Sequence, residues 1–133
     1  MAGESILVVE DNDTNLRLFI YLLSAKGYQV RGASDAQQAL ELMRNFHPRL
    51  ILMDLQLPGT DGYELTRRLK ADPGTRDILI IALTAYAMRG DEEKALAAGC
   101  DGDITKPIDT RALPVRIAEY LASGTQGPPD AGS

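Results

Sequence analysis

Glu10, Asp11 and Asp54 are carboxylates that close unbroken apolar runs, and Thr84 and Lys106 stand at comparable ends further along the chain. Ile6-Leu7-Val8-Val9 leads into Glu10 and Asp11. Leu50-Ile51-Leu52-Met53 leads into Asp54, Ile78 to Leu83 into Thr84, and Ile104 comes shortly before Lys106. A short continuous apolar run suits a strand buried on both faces. The polar residue after it emerges at the carboxyl edge of the sheet, where open α/β folds bind their ligands. Five polar side chains from four strand ends would then share one rim. Carboxylates at contact distance repel by roughly 1–4 kcal/mol per pair, depending on how wet the site is. Such a cluster raises its own pKa values or binds a cation. Oxygen-only ligands favour Mg2+ or a similar hard ion, which commonly takes one or two carboxylates plus waters and phosphate oxygens. Lys106 and the Thr84 hydroxyl supply a cation and a donor for an added phosphoryl group. A carboxylate between metal and lysine is placed to be a nucleophile. Asp54 alone could equally be a loop cap, but the other four residues decide against that.

These residues need a frame, and the chain alternates strand and helix signals along its length. From Asn15 to Ala25, apolar residues fall at Leu16, Phe19, Ile20 and Leu23, one helix face, and Gly27 ends that helix. Tyr28-Gln29-Val30-Arg31 alternates as a strand with one wet face does. Ser34 and Gln37 form a capping-box pattern before Ala39, Leu40, Leu42, Met43 and Phe46. Leu57-Pro58-Gly59-Thr60-Asp61-Gly62 forces a loop after Asp54. Tyr63 to Ala71 makes a third helix, stopped by Asp72-Pro73-Gly74, and Asp91 to Ala98 a short one closed by Gly99. Asp109 to Leu121 is the last, with an irregular lead-in and Pro114 as its first regular residue. Strand starts near residues 6, 28, 50, 78 and 103 give one strand and one helix per unit, the mark of a parallel sheet. The three unbroken runs belong in the middle, and right-handed crossovers then give the strand order 2-1-3-4-5. A crevice opens between the first and third strands. The frame points the acids into it.

Composition narrows the function classes. With 133 residues, 25% charged and 44% hydrophobic, the chain reads as one globular domain with a real core. A net charge of −5 argues against nucleic acid as a direct partner. Cys100 is the only cysteine, so no internal disulfide forms, which fits a reducing compartment. No apolar run approaches a membrane span and no signal-peptide pattern opens the chain, so a cytoplasmic location is expected. The domain is expected over residues 1–122, with a disordered tail at 123–133 that lacks apolar anchors.

Ile6-Leu7-Val8-Val9-Glu10-Asp11-Asn12, Leu52-Met53-Asp54-Leu55-Gln56-Leu57-Pro58, Ala82-Leu83-Thr84-Ala85 and Thr105-Lys106-Pro107 together resemble the receiver domain of two-component response regulators. The resemblance covers roughly residues 5 to 122. Ala85 to Ile108 is similar to DivK-type single-domain receivers and to receivers carried by hybrid sensor kinases. It implies a flavodoxin-like α/β fold, a three-layer (βα)5 sandwich. It also implies that Asp54 accepts a phosphoryl group from a phosphohistidine on a histidine kinase or histidine phosphotransfer protein. Asp11 and Asp54 would hold Mg2+ with the backbone carbonyl of Gln56, and Glu10 would act mainly through water. Lys106 would pair with the carboxylate and then the phosphate, and Thr84 would move to hydrogen-bond the phosphate. Lys106-Pro107 looks like the family's cis peptide bond, and Gln56 and Tyr86 stand where relatives tune phosphate loss. Phosphorylation would switch binding to a downstream protein, and the chain would be no enzyme beyond catalysing its own phosphorylation and dephosphorylation.

Asp103 departs from the family pattern, which usually carries an aromatic residue three positions before the lysine. A carboxylate prefers water, so Asp103 is expected to face solvent. Two other readings compete. A degenerate receiver would bind partners without phosphorylation, and a phosphohydrolase would use an Asp-x-Asp site whose second acid falls at Gln56. Elsewhere, His47 reads as a surface residue at a helix end, and Cys100 as a small buried one rather than a redox sensor. Asp91-Glu92-Glu93 suits a first helical turn. Whether Tyr63, Tyr86 and Tyr120 are core or interface residues stays open.

Overall fold

The computed structural model describes residues 3–55, 62–84, 96–105 and 109–124. Five strands alternate with helices: β1 Ser5–Val9, α1 Asp13–Ser24, β2 Gln29–Ala33, α2 Ala36–Leu42, β3 Leu50–Asp54, α3 Gly62–Ala71, β4 Leu79–Thr84, β5 Gly102–Thr105 and α4 Ala112–Gly124. Residues 96–98, before β5, are also helical. The strands form one parallel sheet in the order β2-β1-β3-β4-β5, as the buried-run argument requires.

Period-two alternation explains why the central strands carry no polar residue. Leu7, Val9, Ile51, Met53, Ile80 and Ala82 pack on one face with Ala36, Ala39, Leu65 and Leu69 of α2 and α3. Ile6, Val8, Leu50, Leu52, Ile81 and Leu83 pack on the other with Phe19, Leu23, Leu113, Ile117 and Leu121 of α1 and α4. Both faces are dry, so the register is strongly specified. The β2 edge strand alternates exposed and half-buried residues, with Gln29 and Arg31 in water. Gly27 takes a positive φ of 95° after the last turn of α1.

The third helix starts one residue early, at Gly62, and the other three starts differ from expectation for local reasons. The Asn12 side chain accepts from Asn15 N at 2.9 Å, so α1 begins at Asp13, two residues early. In α2 the cap is Asp35, which accepts from Gln38 N at 2.8 Å, while Gln38 reaches back to Ser34 N at 2.9 Å. The cap is thus Asp35, one residue beyond Ser34, with Gln38 accepting from the N–H just before it, and the helix ends at Leu42 instead of continuing to Phe46. The α4 helix starts at Ala112 with Asp109 as its cap. Leu113 N–H reaches Asp109 O at 3.0 Å, so the bond that Pro114 cannot make is the next one, to Thr110 O, and the regular helix is registered only from Ala112. The helix runs through Ser123 and Gly124, the first two residues of the tail expected at 123–133, and the rest of that tail lies outside the described residues.

Candidate functional site

Strand register sets the acids side by side. Val9 pairs with Met53, so Glu10 and Asp54 are the next residues on neighbouring strands at the same end of the sheet. Asp54 in turn pairs with Leu83, which puts Thr84 one residue past it on β4, and Thr84 pairs with Thr105 of β5. Lys106 follows Thr105 in the chain. The expected rim is therefore built by pairing alone, up to the last described residue of each strand.

The side chains meet as well. Glu10, Asp11 and Asp54 each offer a carboxylate oxygen, and these oxygens lie within 4.8 Å of one another. Glu10 is 1% and Asp54 2% exposed, whereas Asp11 lies open to solvent. Burying two acids is costly unless their charge is compensated. Glu10 Oε2 accepts the Asn12 backbone N–H at 3.2 Å, and its own N–H bonds Ala33 O at 3.0 Å. Asn12 thereby ties the buried acid to the cap of α1, a role the sequence reading missed. The signal was present, since Asn is a preferred cap and stands three residues before the Asn15 donor.

An all-oxygen set with two buried carboxylates and one exposed carboxylate suits a hard divalent cation, with the exposed side left for water or phosphate oxygens. The donor set fits Mg2+. Gln56, Tyr86, Lys106 and the Lys106-Pro107 bond lie outside the described residues, as does the 91–93 acidic run. The Thr84 backbone is described and its side chain is not.

Other expected positions fall as follows. Cys100 is buried, 5% exposed, with its Sγ 4.0 Å from Thr66 Oγ1, and burial pushes its thiol up to about 11. His47 is exposed. Tyr63 and Tyr120 are half-buried and pack on opposite faces of the sheet. Asp103 is half-buried rather than fully solvent-facing. Its backbone carbonyl explains this, because it accepts from Arg116 Nη2 at 3.1 Å and Tyr120 OH at 3.3 Å, which draws α4 over the strand.

A five-stranded parallel sheet of this order, with an acidic cluster at the β1 and β3 ends, has the architecture expected of a receiver domain. A family model described as the response regulator receiver domain matches residues 6–118, and the chain belongs to that family. The Polar-differentiation response regulator DivK of Brucella ovis is 45% identical over 118 residues, 89% of this chain and 96% of that one. The DivK of Brucella anthropi is 44% identical over the same shares. A response regulator from Chloroflexus aurantiacus superimposes with a TM-score of 0.85 at 31% identity, covering 90% of this chain and 98% of that one. The receiver domain of a Pseudomonas aeruginosa sensor histidine kinase gives 0.81 at 37% identity, covering 91% and 99%, and that protein has a magnesium ion coordinated in its active-site cleft. The two kinds of relative are the ones the 85–108 stretch suggested. Among the described residues, no helix is long and apolar enough to cross a membrane.

Proposed function

We propose that Asp54 accepts a phosphoryl group from a phosphohistidine, with Mg2+ held by Glu10, Asp11, Asp54 and the main-chain carbonyl of Gln56. The convergence of the three carboxylates at the ends of β1 and β3 carries this reading. An Asp54 carboxylate oxygen bonds to phosphorus while the bond from phosphorus to the imidazole nitrogen breaks. The electron pair stays on that nitrogen, which then takes a proton. Hydrolysis later returns the free carboxylate and inorganic phosphate. Mg2+, when bound, neutralises charge on the phosphoryl oxygens.

The chain's own residues supply the rest. Asp54 sits at the end of a strand buried along its whole length, so the acceptor is presented from a rigid floor. Lys106 pairs with the carboxylate and then with the phosphate, and the Thr84 hydroxyl donates to the phosphate. Glu10 adds a third carboxylate to the cluster, which favours a metal ion there. The donor is a histidine kinase or histidine phosphotransfer protein, and the phosphorylated form addresses a downstream protein in the cytoplasm. The chain acts on itself and turns over no separate substrate.

Incubation with acetyl phosphate and Mg2+, followed by intact mass measurement, tests this. One phosphoryl group is expected on the parent and none on Asp54→Asn or on the parent in EDTA. Equal labelling of Asp54→Asn sinks the acceptor assignment. An unlabelled parent points to a partner-binding domain that works without phosphorylation, and phosphate release without a lasting adduct to a hydrolase.

A further inference from the structure

We infer that Gly62 is a positioning residue for the acceptor, because α3 starts in direct contact with the backbone that carries Asp54. The inference rests on the reading of Asp54 as acceptor. A Cβ on Gly62 would stand 2.6 Å from the Asp54 carbonyl oxygen, 2.8 Å from Leu55 Cα and 3.2 Å from Leu55 Cδ2. The first two neighbours are backbone atoms of a strand end buried on every side, and they have no rotamer with which to give way. Gly62 N–H also donates to Leu55 O at 3.3 Å, so the contact is bonded and not only close. The requirement is for space, since Gly62 lies outside the positive-φ region where glycine is needed for its backbone alone.

The same contact joins Leu55 and Gly62, which flank residues 56–61 in the sequence. That segment starts at Gln56, whose carbonyl is the proposed fourth metal ligand. The missing methyl group therefore bears on the backbone of Asp54, which carries the carboxylate, and on Leu55, the residue before Gln56 in the chain. Mg2+ demands near-ideal octahedral geometry at about 2.0–2.1 Å, so a shift of a few tenths of an ångström in two ligands is felt at the metal. Misplacing a reacting group by about 1 Å can cost a hundredfold in rate. Gly62 needs no contact with metal or phosphate to do this. It acts through the backbone of Asp54 and Leu55.

Gly62→Ala is the test, with Leu69→Val as the control for lost stability, since Leu69 is buried on the same helix away from Asp54. Mg2+ affinity is read by isothermal titration calorimetry, and the rate of labelling by acetyl phosphate is read at saturating metal by intact mass. Gly62→Ala is expected to weaken Mg2+ binding about tenfold and to slow labelling about 10- to 100-fold at saturation. Leu69→Val is expected to leave both within about twofold. If Gly62→Ala does not fold in buffer, both proteins are compared in trimethylamine N-oxide, which favours the folded state. Parent-like values for a folded Gly62→Ala overturn the inference, as do equal losses in Leu69→Val. So does a Gly62→Ala chain that stays unfolded in the osmolyte, which marks a general folding role. The metal titration needs no phosphoryl transfer, so an unlabelled parent would overturn the proposed function without deciding this point.

Discussion

Lys70 Nζ and Asp101 Oδ2 meet at 2.8 Å and join α3 to the turn that leads into β5. The same ammonium donates to Ile78 O at 2.8 Å and Arg76 O at 3.2 Å, which uses all three of its donors. The same carboxylate oxygen accepts Ile80 N at 2.9 Å. One ion pair thus fastens three segments around the start of β4. The Lys70 side chain is 19% exposed and that of Asp101 35%, so solvent screens the pair only in part.

Lys70→Met keeps the stem and removes the donors. The expected cost is about 1–3 kcal/mol, from two backbone carbonyls and a carboxylate left without their cation. Urea unfolding measures it, and Mg2+ affinity serves as the local control because Lys70 is not part of the acidic cluster. An unchanged midpoint would show that water replaces the ammonium at no cost.

The acidic cluster predicts an opposite sign for its own substitution. Without metal, Glu10, Asp11 and Asp54 hold like charges within 4.8 Å of one another. Asp54→Asn removes one charge and keeps the shape, so in EDTA the variant is expected to be more stable than the parent by about 1 kcal/mol. Added Mg2+ at free concentration c stabilises the parent by RT ln(1 + c/Kd), and the variant, which binds it more weakly, by less. Thermal melts with and without Mg2+ give both comparisons. A variant less stable than the parent in EDTA would mean that Asp54 contributes more by its contacts than it loses by repulsion.

Cys100 adds a pH dependence. Burial pushes the thiol from its ordinary value of 9.0 up to about 11, with the Thr66 contact opposing and the Asp101 charge reinforcing. The folded chain therefore keeps a proton that the unfolded chain loses. This contribution is fully present below about pH 9 and is lost as pH rises through about 11. Cys100→Ala should flatten the fall in stability between those limits, compared with the parent in urea at each pH. Identical slopes would assign the fall to other groups, among them Tyr28, whose hydroxyl burial and Glu4 also push up.

Much of this molecule could be read before folding because its central strands carry no polar residue until they reach the site. Leu50 to Met53 and Ile6 to Val9 state their burial on both faces, and the residues after them are the acids that meet. The caps were harder. Ser34–Gln37 and Asp35–Gln38 present the same pattern one residue apart, and only the bonded pair distinguishes them. Contacts between distant segments were silent. Nothing in the order of residues brings Lys70 to Asp101, or shows that Gly62 rests on the carbonyl of Asp54. Such contacts follow from how a helix returns to its sheet, which periodicity does not encode.

The closure of the β5 edge gives the last prediction, in which one substitution changes sign with its background. A Cβ on Gly102 would lie 2.5 Å from Tyr120 Cε1 and 2.6 Å from both Cζ and the hydroxyl oxygen. The ring is held where it is by Arg116, whose Nη2 lies 3.1 Å from the Tyr120 oxygen and whose guanidinium carbon is 5.6 Å from the ring centroid. Both side chains bond the Asp103 carbonyl, covering a group that an edge strand would otherwise leave open to pairing. Gly102→Ala must displace this clamp, at an expected cost of about 1–3 kcal/mol. Glycine within a strand is itself about 0.5–1 kcal/mol worse than alanine. Once Tyr120→Ala has removed the ring, Gly102→Ala should therefore stabilise the chain. Urea unfolding of the parent, both single variants and the double variant measures the coupling directly. Additive effects would show that Tyr120 yields freely to the new methyl group and that Gly102 is not kept open for it.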